Sequence, residues 1–226
     1  MNYTWDYTWV WRNSDVLARG MLVTLALTLT TVGSGTVMGA IVALLRQSRF
    51  RVVSWIARVY IEIFRDLPVL VVLIWLFFCL PILLGPNAII SPFWVAVIGL
   101  GLNFSALQAE IIRAGYEAIP VGQLEAASGL HFSRWQVLRF IILPQTIWRS
   151  IAPTLGQAVN TLKLTALASF ISVGELFYVT GRLIQNTFRP LEFYTTLALL
   201  YLALILPLAI LVQAFEFRLS RRFRHG

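Results

Sequence analysis

The run from Gly20 to Leu45 reads GMLVTLALTLTTVGSGTVMGAIVALL and carries no charged residue. A helix that crosses a bilayer needs about 20 mostly apolar residues, so this run is long enough to span the hydrocarbon on its own. An open strand would leave backbone groups unpaired in lipid, which makes the helix the only viable form of such a run. Gly35 and Gly39 within it form a small-xxx-small pair of the kind that lets two helix backbones approach closely.

Working outward, four further runs have the same character: about Val59 to Leu84, with polar residues in its first turns, Ser91 to Ile112, Ile151 to Val173, and Tyr194 to Phe215. The composition agrees. Hydrophobic residues make up 58% of the 226 residues and charged residues only 12%, with a mean hydropathy of +0.78. Soluble domains carry about 25% charged residues, so too few charges remain to clothe a water-soluble globule. The expected fold is all-α, a polytopic membrane protein with about five transmembrane helices. Pro207 lies inside the fifth run and predicts a kink, which membrane helices tolerate when neighbours satisfy the freed carbonyl.

The net charge of +8 would suggest nucleic acid in a soluble protein. Here the arginines gather in gaps between apolar runs, the pattern of cytoplasmic loops, and no nucleic-acid role is expected. One side holds Arg46, Arg49, Arg51, Arg58, Arg113, Arg134, Arg139, Arg149, Arg218, Arg221, Arg222 and Arg224. The other holds Arg12, Arg19, Arg182 and Arg189, the last two offset by Glu175 and Glu192. The positive-inside rule then sets the N-terminus outside and the C-terminus in the cytoplasm. The first twenty residues lack a basic stretch ahead of a short apolar core, so no cleavable leader is expected. They carry Tyr3, Trp5, Tyr7, Trp9 and Trp11 instead, an interfacial aromatic anchor or a surface on which a ligand stacks. Cys79, the one cysteine, lies in an apolar run and reads as a packing residue.

The gap between the third and fourth runs is too long and too patterned for a simple connector. It contains Gly122-Gln123-Leu124-Glu125-Ala126-Ala127-Ser128-Gly129-Leu130-His131, and later Ile141-Ile142-Leu143-Pro144-Gln145. Pro120 and Gly122 end the helix arriving from the membrane. Gln123 to Leu130 reads as a short helix. Ser133 is a candidate N-cap for a second helix that leads to Pro144. A helical hairpin of this kind, with small residues on one face, suits docking into a groove on a partner protein.

Glu125-Ala126-Ala127 followed by Ile141-x-Leu143-Pro144 resembles the cytoplasmic loop of permeases of binding-protein-dependent ABC importers. Gly122-Gln123, Arg134-Trp135-Gln136 and Pro144-Gln145 resemble the polar amino acid uptake branch. So do Phe64-Arg65-Asp66-Leu67-Pro68, Glu110-Ile-Ile-Arg113-Ala-Gly and Leu162-Lys163-Leu164-Thr165-Ala166-Leu167. The chain departs from that pattern at Asp66-Leu67 (usually Gly-Thr), at Leu164 (usually Asp) and at His131 (usually Gly). A glycine there permits a sharp turn, and Gly129 is expected to supply it instead.

The resemblance implies one transmembrane permease domain over residues 1–226, with a coupling loop at about residues 113–150, in a bacterial inner membrane. It implies two permease subunits around a pore, as two copies or with a sister permease. A cytoplasmic ABC ATPase dimer would dock on the loop, and an extracytoplasmic solute-binding protein would deliver the solute. The cargo would be a polar amino acid, with acidic ones preferred. Methionine or opine permeases, and a passive channel or structural membrane protein, are the alternatives. No Gly-rich phosphate loop followed by Lys is present, so the chain is expected to bind no cofactor, ATP and Mg belonging to the partner ATPase. No catalytic residue is expected either. With His131 and His225 the only histidines and no HExxH pair, no metal site is expected.

The resemblance assigns the coupling loop Gly122, Gln123, Glu125, Ala126, Ala127, Gly129, His131, Ile141, Leu143 and Pro144. For the pathway the candidates are Arg65, Asp66, Glu110, Lys163 and Thr165. Lys163, the one lysine, lies near the middle of the fourth run, where a cation costs about 2.5–3.5 kcal/mol on insertion scales. It either lines the solute pathway or pairs with a carboxylate such as Glu110 to fix the packing. Arg134, Arg139 and Arg149 serve topology and lipid headgroups or touch the ATPase.

Overall fold

The computed structural model describes residues 3–85 and 90–223. Arg224 and His225, both named above, lie outside the described residues. The described chain is helical throughout. Its elements are α1 (Thr8–Arg12), α2 (Ser14–Arg46), α3 (Arg51–Asp66), α4 (Val69–Leu84), α5 (Pro92–Glu117), α6 (Val121–Gly129), α7 (Arg134–Ile171), α8 (Leu176–Thr187) and α9 (Pro190–Phe223). Helices α2, α5 and α9 are long and apolar enough to cross a membrane alone. The pairs α3–α4 and α7–α8 cross only as bent pairs, at 105° and 49°.

Helix α5 is the centre: 67% of its most apolar window is buried, against 6% for α9. It packs along α2, where Gly35 and Gly39 do what their spacing predicts. A Cβ on Gly39 would lie 2.6 Å from Gln108 Cβ, and one on Gly35 2.6 Å from Phe104 Cδ1. Only the missing side chains let the two backbones come this close. Helix α2 also carries many hydroxyls for a membrane span. Thr24, Thr28, Thr30, Ser34 and Thr36 each donate to the carbonyl four residues earlier, so none asks lipid for a partner.

Three apolar clusters follow one another along α2. Leu17 joins Leu176, Leu183, Phe193 and Leu197 at one end. Leu27 joins Leu73, Leu100, Ala168 and Ile171 in the middle. Val42 and Ala43 join Ala57, Ile61 and Ala109 at the other end. These levels supply a depth scale for everything else.

The second span differs from its expected limits. Val59 to Asp66 belong to a separate amphipathic helix, α3, and the spanning part begins at Val69. Pro68 is the reason. It has no N–H, and it pushes Leu67 into the extended region (φ −69°, ψ 136°). The fourth span differs too. The hairpin's second helix and the span are one rod, α7. Pro144 does not end it, because a π-helical turn at Leu138–Ile142 loosens the ladder just ahead of the proline. Pro81 in α4 follows a π turn at Trp75–Cys79 in the same way. Cys79 is exposed rather than packed.

The gap expected after the fourth span is mostly helix α8, and its acids do more than offset arginines. Glu175 and Glu192 are fully buried. Glu192 accepts from the Tyr3 hydroxyl and the Asp6 backbone N–H, and Arg189 donates to the Thr4 carbonyl. The N-terminal aromatic segment is thereby strapped across the start of α9, with Trp5 and Tyr7 stacked at 5.9 Å.

Gly39→Leu should force α2 and α5 apart and cost about 1–3 kcal/mol, the usual penalty of overpacking. Gly33→Ala on the same helix, where a Cβ meets nothing within 4 Å, should be neutral. Thermal unfolding of the purified variants in detergent checks both.

Candidate functional site

Two breaks in the spanning helices lie at the middle cluster. At the first, α3 ends with carbonyls that no following helical N–H can reach. Buried Asn103 of α5 answers one of them, its Nδ2 donating to the Phe64 carbonyl at 2.9 Å. Tyr60 and Ser105 hydrogen-bond at 2.7 Å one turn away. At the second break, α7 closes in a tight 3₁₀ segment, Thr165–Ile171, and Ser172 turns left-handed at φ 63°. Glu175 then caps α8, accepting from the N–H groups of Phe177 (2.9 Å) and Tyr178 (2.7 Å) and from the Tyr201 hydroxyl (3.1 Å). Thr24 of α2 accepts the N–H of Leu176. The two breaks pack on one another: Val69 of α4 and Leu164 and Leu167 of α7 line the same cluster.

The sequence-derived pathway residues fall into four groups here. Arg65 and Asp66 stand exposed at the first break and pair with each other at 3.0 Å. Glu110 belongs elsewhere. It binds Arg46 of α2 and Arg113 of its own helix at the Arg46 end of the bundle. It is therefore not the partner of Lys163, because two guanidinium groups already occupy its oxygens. Thr165 is fully buried and donates to the Leu162 carbonyl.

Lys163 is exposed on α7 and has no carboxylate partner among the described residues. It shares a stripe with exposed Pro153, Gly156 and Asn160, at steps of three and four residues that keep them on one helix face. Thr146, Ser150, Thr161 and Leu162 of the same helix are buried, and Thr154 donates to Gln108 of α5 at 3.0 Å. Asn160 escaped the sequence reading, although its spacing to Lys163 marks it. Glu175 also escaped, because charge counting treats it as a loop acid.

The loop forms a hairpin. Helix α6 carries Gly122, Gln123, Glu125, Ala126, Ala127 and Gly129. Ala127 is buried while Glu125 and Ala126 are exposed. Ser133 caps α7 in a capping box, its Oγ accepting from the N–H of Gln136 while the Gln136 side chain accepts from the N–H of Ser133. Gln145 donates to Gln123 at 2.6 Å and ties the two arms together. Ile141 sits in the π turn and Leu143 and Pro144 just beyond it. Val121, Leu130, Trp135, Phe140 and Leu143 are all exposed, an apolar surface left uncovered by the described residues.

The turn between the arms is made at His131, not at Gly129. Gly129 ends α6 within the helix, and His131 itself takes φ 55°. The left-handed region costs an ordinary residue roughly 1–2 kcal/mol. His131→Gly should therefore slow hydrogen exchange in the hairpin and raise its stability by about 0.5–1 kcal/mol, after the entropy that glycine loses on folding. His131→Val, a β-branched residue at positive φ, should loosen the hairpin in the same measurement.

The sequence profile described as "Binding-protein-dependent transport system inner membrane component" matches residues 35–224. The glutamine transport system permease protein GlnP of Escherichia coli (strain K12) is 30% identical, covering 95% of this chain and 98% of its own. The arginine transport system permease protein ArtQ of Bacillus subtilis (strain 168) is 34% identical, covering 90% and 92%. Among solved structures, an amino acid ABC transporter crystallised with histidines superposes with a TM-score of 0.89 at 31% identity, covering 96% of this chain and 100% of that one. An inward-facing form of the MetNI methionine ABC transporter shares the fold, with a TM-score of 0.70 at 20% identity.

Proposed function

The chain belongs to the family of binding-protein-dependent transport system inner membrane components, and from that membership we propose how it moves its cargo and what the cargo is. Its relatives are permease subunits of ABC importers, transport components rather than enzymes. Such a permease works with an ATPase and a substrate-binding protein. The passive-channel reading falls with the family. We propose a polar amino acid as the cargo, because the relatives carry glutamine and arginine by name and the exposed Lys163 ammonium suits a carboxylate. Acidic amino acids, which add a second carboxylate, are the preferred class.

One observation carries the mechanism: the second arm of the hairpin and the span bearing Lys163 are a single rod. From Arg134 to Lys163 it runs roughly 44 Å at 1.5 Å per residue. An ATPase dimer gripping the exposed apolar face of the hairpin tilts α6 and the foot of α7 together, because Gln123 and Gln145 are bonded. The same tilt reaches Asn160 and Lys163 along continuous helix, through the π turn at Leu138–Ile142 and past Pro153. Glu125, exposed on α6, faces the ATPase. The Lys163 stripe points away from its own bundle, and an ammonium is not stable against lipid. It therefore meets a water-filled path at the contact with a second permease subunit, along with Arg65 and Asp66 at the first break. In this reading residues 1–226 form one permease domain, the Arg46 end of the bundle is cytoplasmic, the N-terminus lies outside and the C-terminus in the cytoplasm. The basic residues Arg46, Arg49, Arg51, Arg58 and Arg113 gather at that end and support it.

The test is ATP hydrolysis by the chain reconstituted with its ATPase and binding protein, across a panel of amino acids. One solute, an acidic or amide amino acid, should stimulate hydrolysis, and Glu125→Arg should lose both the stimulation and the copurifying ATPase. A panel without effect on a well-folded complex sinks the cargo assignment. Lys163→Ala should abolish uptake while the assembled complex survives gel filtration intact. Normal uptake by that variant removes Lys163 from the pathway.

A further inference from the structure

Helix α3 is amphipathic in an unusual way. Its buried face, Ser54, Ala57 and Ile61, packs on α2 and α5. Its outer face combines cations with bare apolar surface: Arg51 and Arg58 flank Trp55 at i, i+4 and i+7, beside Val52 and Ile56. Trp55 is 64% exposed, Val52 69% and Ile56 57%. A polar helix face that meets only water has no use for these three, and a face that meets only lipid has no use for the arginines. The combination suits a helix that starts at the headgroup boundary, where cations and aromatic side chains anchor.

That face is hollowed. A cavity of about 600 Å³ is lined by Ser48, Arg51, Val52, Ser54, Trp55 and Arg58. Its depth in the membrane is fixed by one bond: the Ser54 Oγ donates to the carbonyl of Arg46, the last residue of α2, at 2.7 Å. The cavity thus lies level with the helix end, where headgroups begin. Its cations are available. Arg58 reaches only the Ser54 hydroxyl, at 3.5 Å, and Arg51 has no ion pair among the described residues. Glu110 and Glu117, the acids nearest this end of α5, are held by Arg46 and Arg113. No acid occurs from Arg46 to Ile61.

We propose that the α2–α3 corner is a binding site for the phosphate headgroup of an anionic phospholipid. Arg51 and Arg58 hold the phosphate, Ser48 donates a hydroxyl hydrogen bond, and the acyl chains run along Trp55, Val52 and Ile56. The leaflet, the cytoplasmic one, rests on the orientation proposed above; the site itself does not. The occupant stabilises the corner from which α3 leads to the break at Pro68, so the lipid bears on the position of Arg65 and Asp66.

The experiment is native mass spectrometry of the detergent-purified permease–ATPase complex, stripped of lipid and titrated with phosphatidylglycerol or phosphatidylcholine. This readout needs neither substrate nor transport, so failure of the amino acid panel leaves it intact. Wild type should bind phosphatidylglycerol in preference. Arg51→Gln with Arg58→Gln should weaken that binding about fivefold for each arginine removed. Arg19→Gln with Arg182→Gln, the same charge change at the other end, should leave it unaltered. Arg51→Lys with Arg58→Lys should retain most of the affinity, which keeps the test valid if the glutamine variant misfolds. Equal binding of the two lipids, or undiminished phosphatidylglycerol binding by the double glutamine variant, overturns the proposal. So does displacement of the lipid by millimolar inorganic phosphate alone, which would mark a free-anion site. Loss of the ATPase from the double variant with lipid binding intact would mark the face as a protein interface and also overturn it.

Discussion

A spanning helix that breaks inside a membrane exposes backbone groups that lipid cannot satisfy, and each orphan costs several kcal/mol. The architecture is arranged around meeting that demand twice. Asn103, buried in the central helix, answers the carbonyl of Phe64 where α3 stops. Glu175 takes the first N–H groups of α8 where α7 stops, and Thr24 takes one more. The prolines impose the same demand in a milder form. Pro81 and Pro144 each follow a π turn that widens the ladder before the missing donor. None of these partners lies on the broken helix it serves except within the caps themselves. The breaks therefore exist only because α2, α5 and α9 surround them, which explains why α5 is the most deeply buried span.

Irregular backbone at membrane depth is tolerated where it is covered by protein or lines a polar cavity, and transporters use it at their binding sites. Here both breaks reach one apolar cluster, so a movement of α7 is felt at the start of α4 through direct packing of Leu164 and Leu167 near Val69 and Leu73. The 3₁₀ segment at the top of α7 is the natural place for a rod driven from its foot to yield. Its tighter geometry is less stable than the α-helix below it, and Ser172 immediately beyond already sits at positive φ.

The apolar runs were legible because hydropathy reports burial in lipid without needing tertiary structure. The capping box was legible because Ser133 and Gln136 are three residues apart and act locally. The hairpin's turn was half legible: the departure at His131 marked the position, but the expectation moved the turn to Gly129, since sequence alone does not reveal that a histidine is held at φ 55° by its neighbours. The start of the second span was misplaced because Val59, Tyr60, Ile61, Ile63 and Phe64 extend the hydropathy of the real span backwards past the charges at Glu62, Arg65 and Asp66. Pro68 was the local signal, and its effect on Leu67 outweighed the composition. Glu175 and Glu192 were read as loop charge for a related reason. A carboxylate buried by partners far along the chain, Tyr201 for Glu175 and Tyr3 and Asp6 for Glu192, has no signature in its own neighbourhood.

On the proposed function, the exposed stripe on α7 makes a second subunit part of the working unit. Within a single bundle the α5 side of the rod is buried, with Thr154 reaching Gln108 and Ser150 meeting Gly115. The other side presents Asn160 and Lys163, and Lys163 has no carboxylate partner among the described residues. Helix packing cannot be the purpose of a cation that packs against no helix, and lipid cannot be its solvent. On the proposed mechanism, polar groups placed outside the bundle rather than along its axis put the path for a polar solute at a contact between subunits. That site would then be complete only when two permeases are held together, and opening it would require no rearrangement of either core. The rods would need only to separate, each driven from the hairpin at its foot.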